Sequence, residues 1–314
     1  MLVAASARSG TTLLGTLLDL HPDIRFVGEL NRRRGWLERN GACGCGLRYD
    51  ECPFWAPLAA RPSWPDPASG DSRDRRTTSP EVRALQARVR RPAAAIRALS
   101  GRPTRGQAAY VAYLEQLYRD IAAESGASAI VETSKQNLLD VVLLARLGTL
   151  PLRVVHLHRD PRGVVASRLR GARRRAEAGE GSHGLATRLG APIVVRDALA
   201  WDRVNGTALA LDRRLGAAAR RLPYDDLVAD SAGTVRQLVA WLGLDPDELA
   251  DAWERPDLVD LPDNHSMGGN RVRRTRGPTP VVPDDRWSRD LHPALRRTVQ
   301  LLTDPVRRQL LRDR

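Results

Sequence analysis

The N-terminal segment ASARSGTTLLGTLLDLHP, residues 5–22, constrains the fold more than any other part of the chain. An apolar run leads into a small polar turn that contains Gly10, and a leucine-rich segment follows. This order is typical of a buried strand, a phosphate-binding loop and a helix. The common nucleotide loop carries a lysine before its serine or threonine, whereas this loop offers Arg8 and a Gly-Thr-Thr sequence. The loop therefore predicts a phosphate ligand of another kind.

Strand-like and helix-like segments alternate along the rest of the chain. The expected strands lie at residues 2–6, 24–30, 128–134 and 152–160. The expected helices lie at residues 11–20, 108–125, 137–148, 161–178, 192–216, 231–242 and 293–312. Such alternation favours an α/β fold, here a three-layer P-loop-like sandwich with a central parallel sheet flanked by helices.

The segment 40–108 differs in character, because it is rich in proline and in charged residues and includes an Arg/Ala-rich stretch from about Pro80. We expect a single domain over residues 1–314, with an elaboration at about 40–108 that is mobile near 62–79.

Composition excludes several classes of protein. The hydrophobic fraction of 42% is enough for a packed core, so disorder is not expected. Aromatic residues make up only 4% of the chain, which argues against stacking platforms for single-stranded nucleic acid. No apolar run approaches the ~20 residues of a membrane helix, and no signal-like segment opens the chain. We therefore expect a cytoplasmic protein with no nucleic-acid partner and no stable membrane insertion.

The net charge of +13 has two readings, an anionic ligand or an arginine-rich solvated surface. Among the 50 basic residues only Lys135 is a lysine. A single ammonium group in a chain that otherwise uses arginine suggests a role that a guanidinium cannot fill, although chance survival is the alternative.

Polar residues follow the expected strands at positions suited to bind a ligand. In parallel sheets the ligand lies beyond the carboxyl ends of the strands. The loop around Gly10 follows the first strand, Lys135 lies just after the segment 128–134, and Arg159 ends the segment 152–160. Because Ser167 lies two turns along the next helix, Arg159 and Ser167 are predicted to converge on a second phosphate, separate from the first.

Six motifs in order resemble the sulfotransferases that use 3′-phosphoadenosine 5′-phosphosulfate (PAPS). They are ARSGTTLLGTLLDLHP, FVGEL, ETSK, VVHLHRDPRGVVASRL, PYDDLV and HSMGGNRVRR…DDRW. The likeness is greatest to bacterial members related to the tyrosylprotein sulfotransferases. It implies PAPS as the sulfuryl donor, and a donor with two separated phosphate groups accounts for two predicted phosphate sites.

The resemblance also implies site residues. The loop for the 5′-phosphosulfate consists of Arg8, Ser9, Gly10, Thr11, Thr12 and Leu13. The 3′-phosphate is held by Arg159 and Ser167, and Tyr224 lies near the nucleotide. A late loop over the cofactor contributes Ser266, Gly269, Asn270 and Arg273, with Arg271, Arg274 and Arg276 as alternatives to Arg273. Glu29 matches the base for the acceptor hydroxyl, while Lys135 and Arg8 stabilise the transferred charge.

The chain departs from the family pattern at Glu132-Thr133-Ser134-Lys135, where relatives usually read Asp-Ser-Ser-Lys. The acceptor stays open among the hydroxyls of a small molecule, a glycan, a lipid and a peptide. Oligomeric state is not predicted.

Two other functions compete with this one. A P-loop nucleotide kinase needs a lysine in the loop, and the kinase-like His-Arg-Asp at 158–160 has Val165 where a kinase has asparagine. A non-enzymatic polyanion-binding module is supported by charge alone.

Three cysteines lie close together, at positions 43, 45 and 52 of NGACGCGLRYDECPFW. A zinc site normally needs four ligands and no fourth lies near in the sequence, so no metal is assigned. A disulfide is disfavoured in a reducing cytosol. We expect a tight loop with buried thiols, held by Phe54 and Trp55, with zinc binding and a disulfide as alternatives.

Overall fold

The computed structural model describes residues 1–30, 40–61, 103–134, 138–177, 191–249 and 252–312. A parallel sheet of five strands lies at its centre, in the spatial order β2-β3-β1-β4-β5. Its strands are β1 (Leu2–Ala4), β2 (Ile24–Gly28), β3 (Ala129–Glu132), β4 (Val154–His158) and β5 (Ala219–Pro223). The predicted α/β class with a central parallel sheet is therefore confirmed.

Helices cover both faces of this sheet. In chain order they are α1 (Thr11–Leu18), α2 (Trp55–Ala59), α3 (Arg105–Ser125), α4 (Leu138–Leu147), α5 (Pro161–Glu177), α6 (Ala191–Leu215), α7 (Tyr224–Ala229), α8 (Ser231–Leu242), α9 (Trp287–Asp290) and α10 (Pro293–Arg312). One apolar cluster joins α1, α7 and α8 to the sheet, and a second joins α3, α4 and α6 to it. The three predicted layers follow from these two clusters.

Alternation along β4 explains why the layers form. Val155 and Leu157 belong to the cluster on the α1 side, whereas Val154 packs against the opposite helices. All three side chains are almost fully buried, as expected for a strand that is covered on both faces.

The sequence patterns did not predict β5 or a second, antiparallel sheet of β6 (Trp253–Arg255), β7 (Leu258–Leu261) and β8 (Gly277–Pro280). β5 is an edge strand in which Arg220 and Arg221 are exposed, so it lacks an apolar run. β8 contains two prolines, which are tolerated only at sheet edges.

Several predictions concern residues outside this description. The predicted mobile stretch at 62–79 and the Arg/Ala-rich stretch from about Pro80, up to residue 102, lie outside the described residues. Among the helices that are described, none combines the length and hydropathy needed to cross a membrane.

Helix α1 packs against β2 through a glycine. A methyl group built on Gly15 would lie 2.3 Å from a ring carbon of Phe26, which is itself buried. We expect Gly15→Ala to lower the free energy of unfolding by about 1–3 kcal/mol, because an added methyl overpacks the core. Thermal unfolding followed by circular dichroism measures this change.

Gly206→Ala is the matched control. Gly206 is also helical, but the nearest atom to its added methyl is a Val306 methyl at 3.4 Å. This substitution should leave stability unchanged or raise it, since alanine favours helix by up to about 1 kcal/mol. Equal losses for the two variants would contradict the tight packing of α1 on β2.

Candidate active site

The carboxyl edge of the sheet gathers the residues predicted for the site. β1 leads into the loop 5–10, Glu29 follows β2, Arg159 follows β4 and Tyr224 follows β5. In the loop, Gly10 has φ +94°, a left-handed conformation that favours glycine, and a side chain there would lie 2.6 Å from the Tyr224 ring. Gly10 also caps α1 without a side-chain hydrogen bond. The first-turn N–H groups of α1 have no partner within the helix, an arrangement that favours an anion.

Arg8 connects this loop to the next predicted phosphate site. It too has positive φ, at 75°, and its Nε donates a hydrogen bond to Ser167 Oγ at 3.0 Å. One amino group of Arg159 donates to the main-chain oxygen of Arg8 at 3.4 Å. The two groups expected to bind separate phosphates are therefore directly connected.

Arg159 is buried among fixed partners. It forms an ion pair with Asp284 at 3.1 Å and donates to the main-chain oxygen of that residue at 2.8 Å. Its guanidinium carbon lies 4.3 Å from the ring centre of Tyr224. Hydrogen bonds from Arg286 and Arg159 hold the pKa of Asp284 well below its usual range. Asp284 lies in the predicted DDRW motif, but its pairing with Arg159, 125 residues away in the chain, was not predicted.

The loop lies in a strongly positive environment. Burial lowers the pKa of Arg8, and the neighbouring guanidinium groups of Arg174, Arg170, Arg168 and Arg159 lower it further. Since like charges repel, this cluster of cations is stabilised by any anion that binds among them.

The late loop rests on the start of α1. The N–H of Asn270 donates to Thr12 Oγ1 at 3.1 Å. Gly269 has φ +92°, and a side chain there would lie 2.8 Å from the same oxygen. Gly269 and Asn270 therefore lie beside the start of α1.

Ser266 and Arg273 have other partners. Ser266 Oγ donates to Asn264 Oδ1 at 2.6 Å. The guanidinium of Arg273 donates to the main-chain oxygens of Ala42 at 3.1 Å and Ser266 at 3.2 Å. These two side chains hold the late loop together, whereas Arg271 and Arg274 in the same segment are exposed.

Glu29 is buried just beyond β2. Its N–H donates to Met267 O at 2.7 Å, and the N–H of Thr133 donates to Gly28 O at 2.8 Å. These bonds place the backbone of Glu29 beside the end of β3 and beside the late loop. Lys135 lies outside the described residues.

The cysteine loop corrects one expectation. In the described chain all three cysteines are free thiols. Cys43 and Cys52 are buried as predicted, whereas Cys45 is only half-buried. The prediction that no fourth ligand accompanies them was wrong in space, because the fold brings His265 to the cluster. This fourth ligand was not predicted from the sequence, because His265 lies 222 positions after Cys43.

Comparison with known proteins identifies the family. A model described as "Sulfotransferase family" matches residues 2–248, which is most of the chain. The chain belongs to the sulfotransferase family. The family predicted from the six motifs is thus confirmed.

Two solved structures are similar to the chain. The "Sulfotransferase Domain from the Curacin Biosynthetic Pathway" is 16% identical, with a TM-score of 0.46, over 96% of this chain and 95% of that one. The "Sulfotransferase Domain from the Synechococcus PCC 7002 Olefin Synthase" is 19% identical, with a TM-score of 0.47, over 99% and 93%. A search of curated proteins found no match.

The arginine cluster predicts that inorganic phosphate stabilises the fold. At a phosphate concentration tenfold above the dissociation constant, we expect the Tm to rise by about 2–4 °C relative to chloride at equal ionic strength. Arg8→Met should remove most of this rise because it removes the central cation. Differential scanning calorimetry measures the shift.

Arg214→Met is the control, because Arg214 is exposed in the last turn of α6. It should retain the full response to phosphate. An identical response in both variants would contradict anion binding at Arg8.

Proposed function

We propose that the chain transfers the sulfuryl group of PAPS to an acceptor hydroxyl. The observation that carries this proposal is the bonded connection of Arg8, Ser167 and Arg159 beside the glycine-capped start of α1. A ligand with phosphate groups at both ends of one nucleoside suits two adjoining anion sites better than a single polyphosphate chain does.

In this proposal the 5′-phosphosulfate lies against the loop Arg8, Ser9, Gly10, Thr11, Thr12 and Leu13. The helix dipole of α1 and its first N–H groups favour the anion. Arg8 adds a guanidinium that is already held by Ser167 at 3.0 Å, so little side-chain freedom is lost on binding.

The 3′-phosphate is assigned to Arg159 and Ser167. Asp284 holds Arg159 from one side at 3.1 Å, and the ring of Tyr224 lies against its guanidinium at 4.3 Å. These contacts fix the direction in which Arg159 presents its remaining donors. We assign Tyr224 to the nucleotide side of the site because its ring contacts Arg159, which is assigned to the 3′-phosphate.

The chemistry follows from charge development. The acceptor oxygen attacks sulfur, the bond from sulfur to the bridging oxygen breaks, and adenosine 3′,5′-bisphosphate leaves with the bonding electrons. Glu29 is proposed to take the proton of the acceptor. Arg8 and Lys135 are proposed to stabilise the negative charge that grows on the bridging and sulfuryl oxygens.

The late loop is proposed to close over the cofactor through Gly269 and Asn270, which contact Thr12. Ser266 and Arg273 then support this loop from behind. Arg271, Arg274 and Arg276, which are exposed in the same segment, are the alternatives for a direct phosphate contact.

The proposed acceptor is a hydroxyl group of a small molecule, a glycan, a lipid or a peptide, and no choice among these four classes is made. We propose that the reaction takes place in the cytoplasm. A P-loop kinase is disfavoured by the family match and by the loop, which has no lysine. A polyanion-binding module predicts equal binding of unrelated anions, which the following experiment separates.

Arg159→Ala tests the assignment of the 3′-phosphate. We expect it to weaken binding of adenosine 3′,5′-bisphosphate by about 1.5–3 kcal/mol, since a charge-assisted hydrogen bond is lost. Ser167→Ala should weaken it less. Affinity for adenosine 5′-monophosphate, which lacks the 3′ group, should barely change. Isothermal titration calorimetry measures both ligands, with ATP and ADP as further comparisons.

Equal losses for the two nucleotides would show that Arg159 does not read the 3′-phosphate. Parent affinities that are equal for all four nucleotides would instead support the polyanion-binding module.

Glu29→Gln tests the proposed base. The amide keeps the shape of the side chain but cannot accept the proton, so we expect turnover to fall by about 10²–10⁴-fold. Affinity for adenosine 3′,5′-bisphosphate should stay the same. Release of this product from PAPS, in the presence of a panel of phenol and alcohol acceptors, measures turnover.

Glu254→Gln serves as the control, because Glu254 is exposed on β6, and it should keep full activity. A Glu29→Gln enzyme with parental turnover would exclude Glu29 as the base.

A further inference from the structure

Four side chains that the proposed reaction does not use meet next to the late loop. They are the thiols of Cys43, Cys45 and Cys52 and the imidazole of His265, and their ligand atoms all lie within 4.8 Å of one another. Cys43 and Cys52 are buried, while Cys45 and His265 are half-buried.

Four of the six distances among these atoms are close to those of a tetrahedral metal site, and the other two lie within 4.8 Å. Cys52 Sγ lies 3.6 Å from Cys43 Sγ and 3.8 Å from Cys45 Sγ. His265 Nδ1 lies 3.3 Å from Cys52 Sγ and 3.8 Å from Cys43 Sγ. In a tetrahedron with zinc–sulfur bonds of about 2.3 Å and a zinc–nitrogen bond of about 2.05 Å, the sulfur–sulfur edge is about 3.8 Å and the sulfur–nitrogen edge about 3.6 Å.

The backbone builds the first two ligands into one tight turn. Cys43 N–H donates to Leu47 O at 2.8 Å, and Gly46 N–H donates to Cys43 O at 3.1 Å. Gly46 has φ +93°, which a residue with a side chain rarely adopts. A side chain on Gly44 would lie 2.2 Å from Asn264 Oδ1. Gly44 and Gly46 thus allow the turn to pack closely against the segment that contains His265.

Other contacts fix Cys52 and His265. The N–H of Ala56 donates to Cys52 O at 2.9 Å. The indole N–H of Trp55 donates to His265 O at 2.6 Å, and the ring of Phe54 stacks on the imidazole with 5.3 Å between centroids. Arg273 bonds to main-chain oxygens on both arms, those of Ala42 and Ser266. The ligand set is therefore held in place by contacts that do not involve the thiols.

We propose that Cys43, Cys45, Cys52 and His265 bind one zinc ion with a structural role. Thiolate and imidazole ligands select zinc over magnesium and calcium, and four protein ligands fill its coordination shell, as in structural sites. A disulfide explains the cluster less well. It would use only two of the three sulfurs and would not account for the position of His265. It also requires a sulfur–sulfur distance of about 2.05 Å, much shorter than the sulfur–sulfur distances given above.

The proposed ion ties the cysteine loop to the late loop. His265 is followed by Ser266 and Met267, and the main chain of Met267 pairs with Val27 at 3.0 Å and with Glu29 at 2.7 Å. Zinc at the cluster would thereby fix the segment that leads to Gly269 and Asn270. This inference does not depend on the donor or on the acceptor of the proposed reaction.

Metal content tests the proposal without an activity assay. The full chain, purified from zinc-supplemented medium and freed of any affinity tag, is analysed by inductively coupled plasma mass spectrometry. We expect about one zinc ion per chain, and less than about a fifth of that in Cys45→Ser and His265→Asn. His292→Asn, at an exposed histidine outside the cluster, should keep the parental content.

Two further measurements cover variants that fail to fold. The unmodified chain loaded with cobalt should show a thiolate-to-cobalt charge-transfer band and the intense visible bands of tetrahedral cobalt. Cys45→His, which keeps four ligands, should restore zinc binding that Cys45→Ser has lost.

Three results would overturn the proposal. The first is an unmodified chain with less than about a tenth of an equivalent of zinc and no tetrahedral cobalt spectrum. The second is parental zinc content in both Cys45→Ser and His265→Asn. The third is a single titratable thiol in the unfolded, unreduced chain, which would show that two cysteines form a disulfide. Failure of the sulfotransferase proposal would alter none of these readouts.

Discussion

The close approach of the Tyr224 ring to Gly10 is the constraint on which the candidate site depends. Any side chain at position 10 would meet that ring at 2.6 Å, so the loop after β1 and the start of α7 can touch only if the loop contains glycine. The same ring lies against the guanidinium of Arg159 at 4.3 Å. One aromatic side chain therefore sets the distance between the ends of β1, β4 and β5, the three neighbouring strands at this side of the sheet.

This constraint explains why cations can gather here at all. Burial lowers the pKa of Arg8, and the neighbouring Arg174, Arg170, Arg168 and Arg159 lower it further, so the cations that gather here repel one another. Asp284 offsets part of that repulsion by pairing with Arg159, and it also pairs with Arg170 at 3.3 Å. Arg8 has a neutral partner in Ser167, so its charge is not compensated within the protein and the positive potential at the loop persists. Binding of an anion there would relieve the repulsion between Arg8 and the neighbouring arginines.

The sequence predicted those parts of the fold whose signal is local. Strand β1, the glycine loop and α1 follow one another within 18 residues, and each has its own pattern of apolar side chains or turn residues. β5 escaped prediction because two of its five residues are exposed arginines and its place in the sheet is fixed by pairing with β4. Its strand character comes from a partner distant in the chain, which no single-sequence periodicity reports.

The residues of the candidate site were likewise predicted where their signal is local and missed where it depends on distant partners. Arg8, Gly10 and Arg159 were found because they lie in short motifs at strand ends, where parallel sheets collect ligands. Asp284 and His265 lie in the last of the six motifs, but their partners were not predicted, because each acts through a residue more than 100 positions away. Arg273 was expected to face the cofactor, yet its guanidinium bonds to the main chain of Ala42 and Ser266. A basic motif does not reveal whether its arginines face a ligand or the protein.

The late loop contacts both the segment that carries Glu29 and the start of α1. Its main chain pairs with Val27 and Glu29 on one side, and Asn270 bonds to Thr12 on the other. A displacement of the loop therefore changes the surroundings of Glu29 and of the phosphate loop together. Arg273 and the cluster of Cys43, Cys45, Cys52 and His265 lie behind the loop. Residues outside the proposed substrate contacts therefore affect how rigidly Glu29, the proposed base, and the proposed anion site are held relative to each other.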